Sequence, residues 1–278
     1  MIFYKNFDII HIENKDRGID MTPVKQRLRA HFNAAVEHFG EDRVFGVFLY
    51  GSQNYGLATA ASDVDTKCIL LPTFEDMCRQ EQWTSVELHV DEEHCECKDI
   101  RKMVQMWQKM NMNFLEILFT GDYYINPKYL RDDEVMETWH QILSYNNDMA
   151  YYDVNKAFMS VIGQTKGTAR ASEITAKKVM TIARLVMVLE KLNRNVPYEQ
   201  IVRCSVIEQE ALLKLKAEYE KETQEVRQRA VINYKVLMEQ YYNMWIKKYK
   251  DTPPSNIYED KIYGLVERMI FGAQHIFY

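Results

Sequence analysis

The chain has 278 residues, 47% hydrophobic and 27% charged, with a formal net charge of -5. This composition belongs to a globular protein with a sizeable core, and it excludes collagenous and largely disordered chains. The negative balance also excludes a global basic field for nucleic acid, so any RNA or DNA contact requires a local basic patch.

Ten glycines and six prolines argue against long disordered linkers. The opening Met1-Ile2-Phe3-Tyr4-Lys5 has no apolar signal-peptide core, and no run of about 18 apolar residues suggests a membrane span. Five cysteines form no disulfide framework. Together these features lead us to expect a reduced, cytoplasmic protein of two domains.

Residues 1–20 read as short strands or an extended arm. Thr22-Pro23 reads as an N-cap and first helical position. The helix it opens ends at Gly40, and Phe32, Ala35, Val36 and Phe39 recur at helical spacing. Val44 to Tyr50 and Asp63 to Leu71 read as strands, and Phe74 to Gln80 as a short helix. Thr84 to Val90 and His94 to Lys98 read as two more strands around a turn at Asp91-Glu92-Glu93.

After Asp99 the period becomes helical. Ile100, Met103, Val104 and Trp107 mark one helix, Phe114 to Phe119 another. Further helical patterns lie near 132–144, 148–165, 173–193, 206–249 and 259–272. The expected fold is α+β: a small mixed β-sheet with flanking helices, followed by a mainly helical domain. The boundary falls in Gly121 to Pro127, which divides the chain into 1–125 and 126–278.

The stretch with the most chemistry is Tyr50-Gly51-Ser52 followed by Ser62-Asp63-Val64-Asp65. Aspartates two apart on an extended segment share one face, where they repel unless a cation sits between them. A Gly-Ser turn beside them offers backbone N–H groups and a hydroxyl to an anion. The pattern describes a site for a metal-bound triphosphate. Transfer of a nucleotidyl group needs in-line positioning and charge neutralisation by two divalent ions, and Mg²⁺ favours hard oxygen ligands. Asp63 and Asp65 suit that role. Glu96, between Cys95 and Cys97 on an expected strand, is the best third carboxylate. Glu92 and Glu93 fall in the expected turn and read as solvated. Cys95 and Cys97 share one strand face and His94 takes the other, which favours buried thiols over a sulfur-ligated zinc site.

Gly51-Ser52 with Ser62-Asp63-Val64-Asp65 resembles the signature of the DNA polymerase β-like nucleotidyltransferases. The longer run Tyr50 to Leu57 is similar to one branch, the RlaP-like, RNA-ligase-associated nucleotidyltransferases. Asn113 to Phe119 and Lys177 to Leu185 are similar to later segments of that branch. The resemblance implies Mg²⁺-dependent transfer of a nucleoside monophosphate from a nucleoside triphosphate. By position it matches Asp63 and Asp65 to the metal aspartates and Gly51 and Ser52 to the phosphate turn. Glu96 matches only as a carboxylate on a following strand, where aspartate is commoner.

Lys177 and Arg184 lie seven apart, close to two helical turns, with Lys178 offset by one position. From the residues alone, phosphate contact and a solvated face weigh equally. The resemblance favours phosphate contact, so Lys177, Lys178 and Arg184 join Gly51 and Ser52 as nucleotide-binding candidates. The acceptor stays open between RNA and protein, and a non-catalytic nucleotide-binding module is the further alternative. The donor base and the oligomeric state are not encoded in any motif found.

Overall fold

The computed structural model describes residues 23–130 except 60, 61, 80 and 81, and residues 154–251 except 195, 197 and 250, with short pieces at 263–264, 266–267 and 270. The expected N-terminal arm and the helix near 132–144 lie outside the described residues.

Helix α1 spans Pro23–Phe39 and stops at Gly40, as its periodicity predicts. A turn of 3-10 helix (Glu41–Arg43) leads into β1 (Val44–Leu49). Every residue of β1 is buried, because the strand is covered on both faces. The short helix α2 (Ser52–Tyr55) follows, then β2 (Thr66–Leu70) and α3 (Phe74–Cys78). A reciprocal Thr73–Asp76 capping box starts α3. Strands β3 (Ser85–Val90) and β4 (Glu93–Asp99) form a hairpin around Asp91 and Glu92. Both turn residues have positive φ, 49° and 68°, the handedness a two-residue hairpin loop requires.

Asp99 caps α4 (Ile100–Gln108), accepting the Arg101 N–H at 2.8 Å and the Arg101 guanidinium at 2.6 and 2.9 Å. Helix α5 (Met112–Leu115) runs into 3-10 helix Glu116–Phe119. Next comes β5 (Tyr123–Ile125), inside the segment expected to hold the domain boundary. Three residues are too few to show alternation; the strand exists because β1 offers a free edge, pairing Gly46 with Ile125 and Phe48 with Tyr123.

The sheet has the order β3-β4-β2-β1-β5. Strands β2 and β4 are parallel and the other neighbours antiparallel, which makes it mixed. One face carries Val47, Cys68, Cys95 and Cys97 against Leu28, Phe32 and Ala35 of α1. The other carries Phe45, Phe48 and Ile69 against Ile100, Met103 and Trp107 of α4. Each of these large buried side chains contributes about 1.5–3 kcal/mol relative to exposure.

The helical region begins with α6 (Pro127–Leu130) and continues with α7 (Val154–Ala169), α8 (Ala176–Asn193), α9 (Tyr198–Val202), α10 (Val206–Glu220) and α11 (Gln224–Tyr249). Helix α8 is central and packs against α7, α10 and α11. The stretch 206–249, expected as one helical region, is two helices broken at Lys221–Thr223. The Arg227 guanidinium donates to the carbonyls of Tyr219 and Glu220 at 2.8 and 3.1 Å and closes the break. Neither glycine nor proline marks it. Apolar side chains of the sheet and of the helical region fall in one contiguous cluster. Among the described residues no helix is long and apolar enough to cross a membrane.

Candidate active site

Asp65 sits one residue before β2, and its carbonyl accepts the Tyr50 N–H at 3.0 Å. The ladder between β1 and β2 thus extends to the aspartate and sets its side chain beside the Gly51 turn. Gly51 has φ 78° and ψ -149°, a conformation open only to glycine. A methyl group there would lie 3.0 Å from the Asp65 Oδ2. Asp63 is exposed and Asp65 half-buried, while Val64 between them points into the α1 side of the core. The Asp-x-Asp segment therefore divides as alternation predicts.

Burial pushes the Asp65 carboxyl up and Asp63 adds to this, while Lys177, His94 and Lys67 pull it down. A half-buried carboxylate with a like charge beside it is the chemistry a divalent cation relieves, so the donor set fits Mg²⁺. Lys177, in the first turn of α8, is near enough for its charge to act on Asp65.

Glu93 is not solvated, contrary to the sequence-based expectation. Its Oε1 accepts the Val64 N–H at 3.1 Å, its Oε2 accepts from Arg27 Nε at 2.8 Å, and His31 Nε2 lies 3.3 Å away. The hairpin turn is one residue shorter than expected, which makes Glu93 the first residue of β4 and sends its side chain inward. There it pins the Asp63–Asp65 segment.

Glu96 lies on the same sheet face as Asp65, but opposite Lys67 in the β2–β4 register. Lys67 is 2% exposed, pairs with Glu96, and has its Nζ 3.8 Å from the Tyr50 ring centroid and 4.9 Å from that of Phe114. Lys98 adds a second contact to Glu96 at 3.3 Å. Burial opposes ionisation of Glu96, yet the two lysines hold its carboxyl below its ordinary value. Lys67 escaped the sequence reading, although its place two residues after Asp65 puts it on the same face.

Glu116 was missed as well. It is wholly buried; its Oε2 accepts the Gly51 N–H at 3.3 Å, and its carbonyl accepts Asn54 Nδ2 at 3.2 Å. The Gly-Ser turn and α2 are thus tied to one residue. A lone acid in the apolar run Phe114-Leu115-Glu116-Ile117-Leu118-Phe119 was the available signal. Arg184, buried two helical turns beyond Lys177, stacks 3.6 Å over the Tyr55 ring and lends its charge to Glu116. Lys177 stays exposed, and Lys178 donates to the Glu173 carbonyl at 2.6 Å. The three cations therefore divide: Lys177 and Lys178 lie in the first turn of α8 and Arg184 inside the protein.

Burial pushes the Glu116 carboxyl up to about 7, against the pull of Tyr55, Arg184, Lys67 and the Gly51 N–H. A carboxyl raised in the folded state binds a proton that the unfolded chain has already released. Folding stability therefore falls as pH rises from the ordinary glutamate range to about 7. Glu116→Gln removes this term. Denaturant titrations should show the variant gaining on the order of 2–3 kcal/mol relative to wild type between pH 5 and pH 8. Parallel curves for the two proteins would mean that Glu116 does not carry the proton.

The helical region braces the site. The Cys204 N–H donates to the Tyr55 carbonyl at 3.3 Å, and Arg203 Nη2 to the Phe119 carbonyl at 2.7 Å. A cavity of about 300 Å³ behind α2 is lined by Leu49, Asn54, Tyr55 and Gln209. A larger one of about 610 Å³, lined by Lys191, Arg194 and Glu208, lies among α8, α9 and α10. The aspartate pair lines neither; it stands on the open polar face of the sheet.

Residues 24–241 match the family described as RlaP, the RNA repair pathway DNA polymerase beta family. This chain belongs to the RlaP family. Its fold is accordingly the α+β, polymerase β-like arrangement of a mixed sheet and a helical region. No curated protein matches it. Among solved structures it is similar to a nucleotidyltransferase-like protein from Exiguobacterium sibiricum 255-15, with 12% identity over 89% of each chain and a TM-score of 0.26. Membership of the RlaP family makes nucleotidyltransferase-like chemistry and a nucleotide ligand the family-level description of this chain.

Proposed function

We propose that this protein is a Mg²⁺-dependent nucleotidyltransferase that moves a nucleoside monophosphate from a nucleoside triphosphate to a hydroxyl of an RNA acceptor. The observation that carries this reading is the close approach of Gly51 to the Asp65 carboxylate, which sets the glycine turn beside an acidic pair. The family description, an RNA repair pathway, supports RNA as the acceptor.

Asp63 and Asp65 would hold two Mg²⁺ ions, which supply charge neutralisation at the triphosphate. Ser52 is assigned to the triphosphate, and Gly51, whose own N–H is held by Glu116, gives the turn the shape that lets the phosphates approach. Lys177, whose charge acts on Asp65, is assigned to the β- and γ-phosphates, with Lys178 beside it at the helix start. Arg184 acts from inside, where its contact with Tyr55 holds the helix that follows the turn. The acceptor oxygen forms a bond to the α-phosphorus as the bond to the bridging oxygen breaks, and pyrophosphate leaves. Glu96, kept ionised by Lys67 and Lys98, is assigned as the third carboxylate, and the hydroxyl proton passes to solvent water. We further propose the division into a catalytic domain, 1–125, and a helical domain, 126–278, and a cytoplasmic location.

Incubation with each α-labelled nucleotide, Mg²⁺ and either total RNA or lysate tests the reading. Label in RNA is the expected result. Label on a polypeptide would replace the RNA acceptor with a protein one, as in antitoxin-like enzymes. Nucleotide binding without transfer would reduce the protein to a non-catalytic module and overturn the proposal.

A further inference from the structure

The β3–β4 hairpin carries a second constellation on the polar face of the sheet. His89 and His94 are direct cross-strand partners, and Glu87 stands one pleat along, opposite Glu96. One ligand atom from each of Glu87, His89 and His94 falls within 4.8 Å of the other two. The imidazole rings meet edge to face at 4.9 Å between centroids, and Glu87 Oε1 contacts His94 Nδ1. Glu87 and His89 are exposed and His94 is partly so, which leaves the outer side of the cluster open. All three side chains rise from paired strands closed by a two-residue turn, so their spacing is set by the backbone.

We infer that Glu87, His89 and His94 form a binding site for one divalent transition-metal ion of the zinc and cobalt class. Two imidazoles and one carboxylate on one side, with open positions opposite, are a donor set such ions accept and magnesium does not favour. The thiols of Cys95 and Cys97 are not available to it, because they are buried on the α1 face. The site is a neighbour of the aspartate pair and not part of it. The β2–β4 register that sets Thr66 against Cys95 brings Asp65 level with His94, and the charge of His94 acts on the Asp65 carboxyl. Glu96, the next residue of β4 on that face, pairs with Lys67 and Lys98 and is not among the three clustered ligand atoms. The inference does not depend on nucleotide transfer.

The test is titration of the tag-free, EDTA-dialysed full chain with Co²⁺, followed by its visible absorption bands. The expected result is one Co²⁺ per chain, displaced by Zn²⁺ and retained in excess Mg²⁺. His89→Ala and His94→Ala should each weaken binding by about tenfold or more, and together abolish it. Circular dichroism checks that these surface variants stay folded. Asp63→Ala with Asp65→Ala should bind Co²⁺ as wild type does, which separates this site from the proposed magnesium site. Absence of the bands, their survival in the double histidine variant, their loss in the double aspartate variant, or displacement by Mg²⁺ would each overturn the inference.

Discussion

Asp63→Ala combined with Asp65→Ala is expected to abolish nucleotide transfer and to leave the fold intact. The two carboxylates are the proposed cation ligands, and charge neutralisation in such sites is worth several kcal/mol in the transition state. A loss of about 4 kcal/mol corresponds to about a thousandfold in rate, and complete loss of the ions removes more. Stability should not suffer. Asp63 is exposed, and the Asp65 carboxyl is raised in the folded protein, chiefly by burial. A raised carboxyl weakens the fold as pH climbs through its titration, so its removal leaves stability at neutral pH unchanged or higher. The check is label transfer from an α-labelled nucleotide beside a thermal melt. Full transfer by a folded double variant would refute the assignment.

Gly51→Ala is expected to cost about a hundredfold in activity. Two effects combine. The backbone at φ 78° and ψ -149° strains any residue with a Cβ by about 1–3 kcal/mol. The new methyl group also meets the Asp65 Oδ2 at 3.0 Å and displaces a proposed metal ligand, and misplacement of about 1 Å costs on the order of a hundredfold. Gly40→Ala separates the two effects. Gly40 has φ 87° and ψ 147°, a comparable strain, but a Cβ there meets nothing within 4 Å. The Gly40 variant should lose stability and keep its activity per folded molecule. Equal activity of the two variants would show that the contact with Asp65 does not matter.

Local signals account for much of what was legible. Helix α1 begins at a proline and stops at a glycine. The alternation through Cys95-Glu96-Cys97 placed Glu96 on the face shared with Asp65 and the thiols on the other. The pattern failed where an element owes its existence to a distant partner. Nothing in Tyr123-Tyr124-Ile125 identifies a strand until the edge of β1 is beside it. Lys177 and Arg184 share a helical face, yet about 10 Å of axial rise separates them, enough to put one over solvent and the other inside the core.

The sequence by itself determined the acidic pair, the glycine turn and those helices and strands that carry a local periodicity, because these depend on residues within a few positions of one another. The tertiary structure alone decided that Glu116 holds the Gly51 N–H, that Glu93 holds the Val64 N–H, and that Lys67 rather than solvent meets Glu96. Each of these joins residues 29 or more apart in the chain. Only packing brings such groups together, and only burial makes their charges interact strongly enough to shape the site.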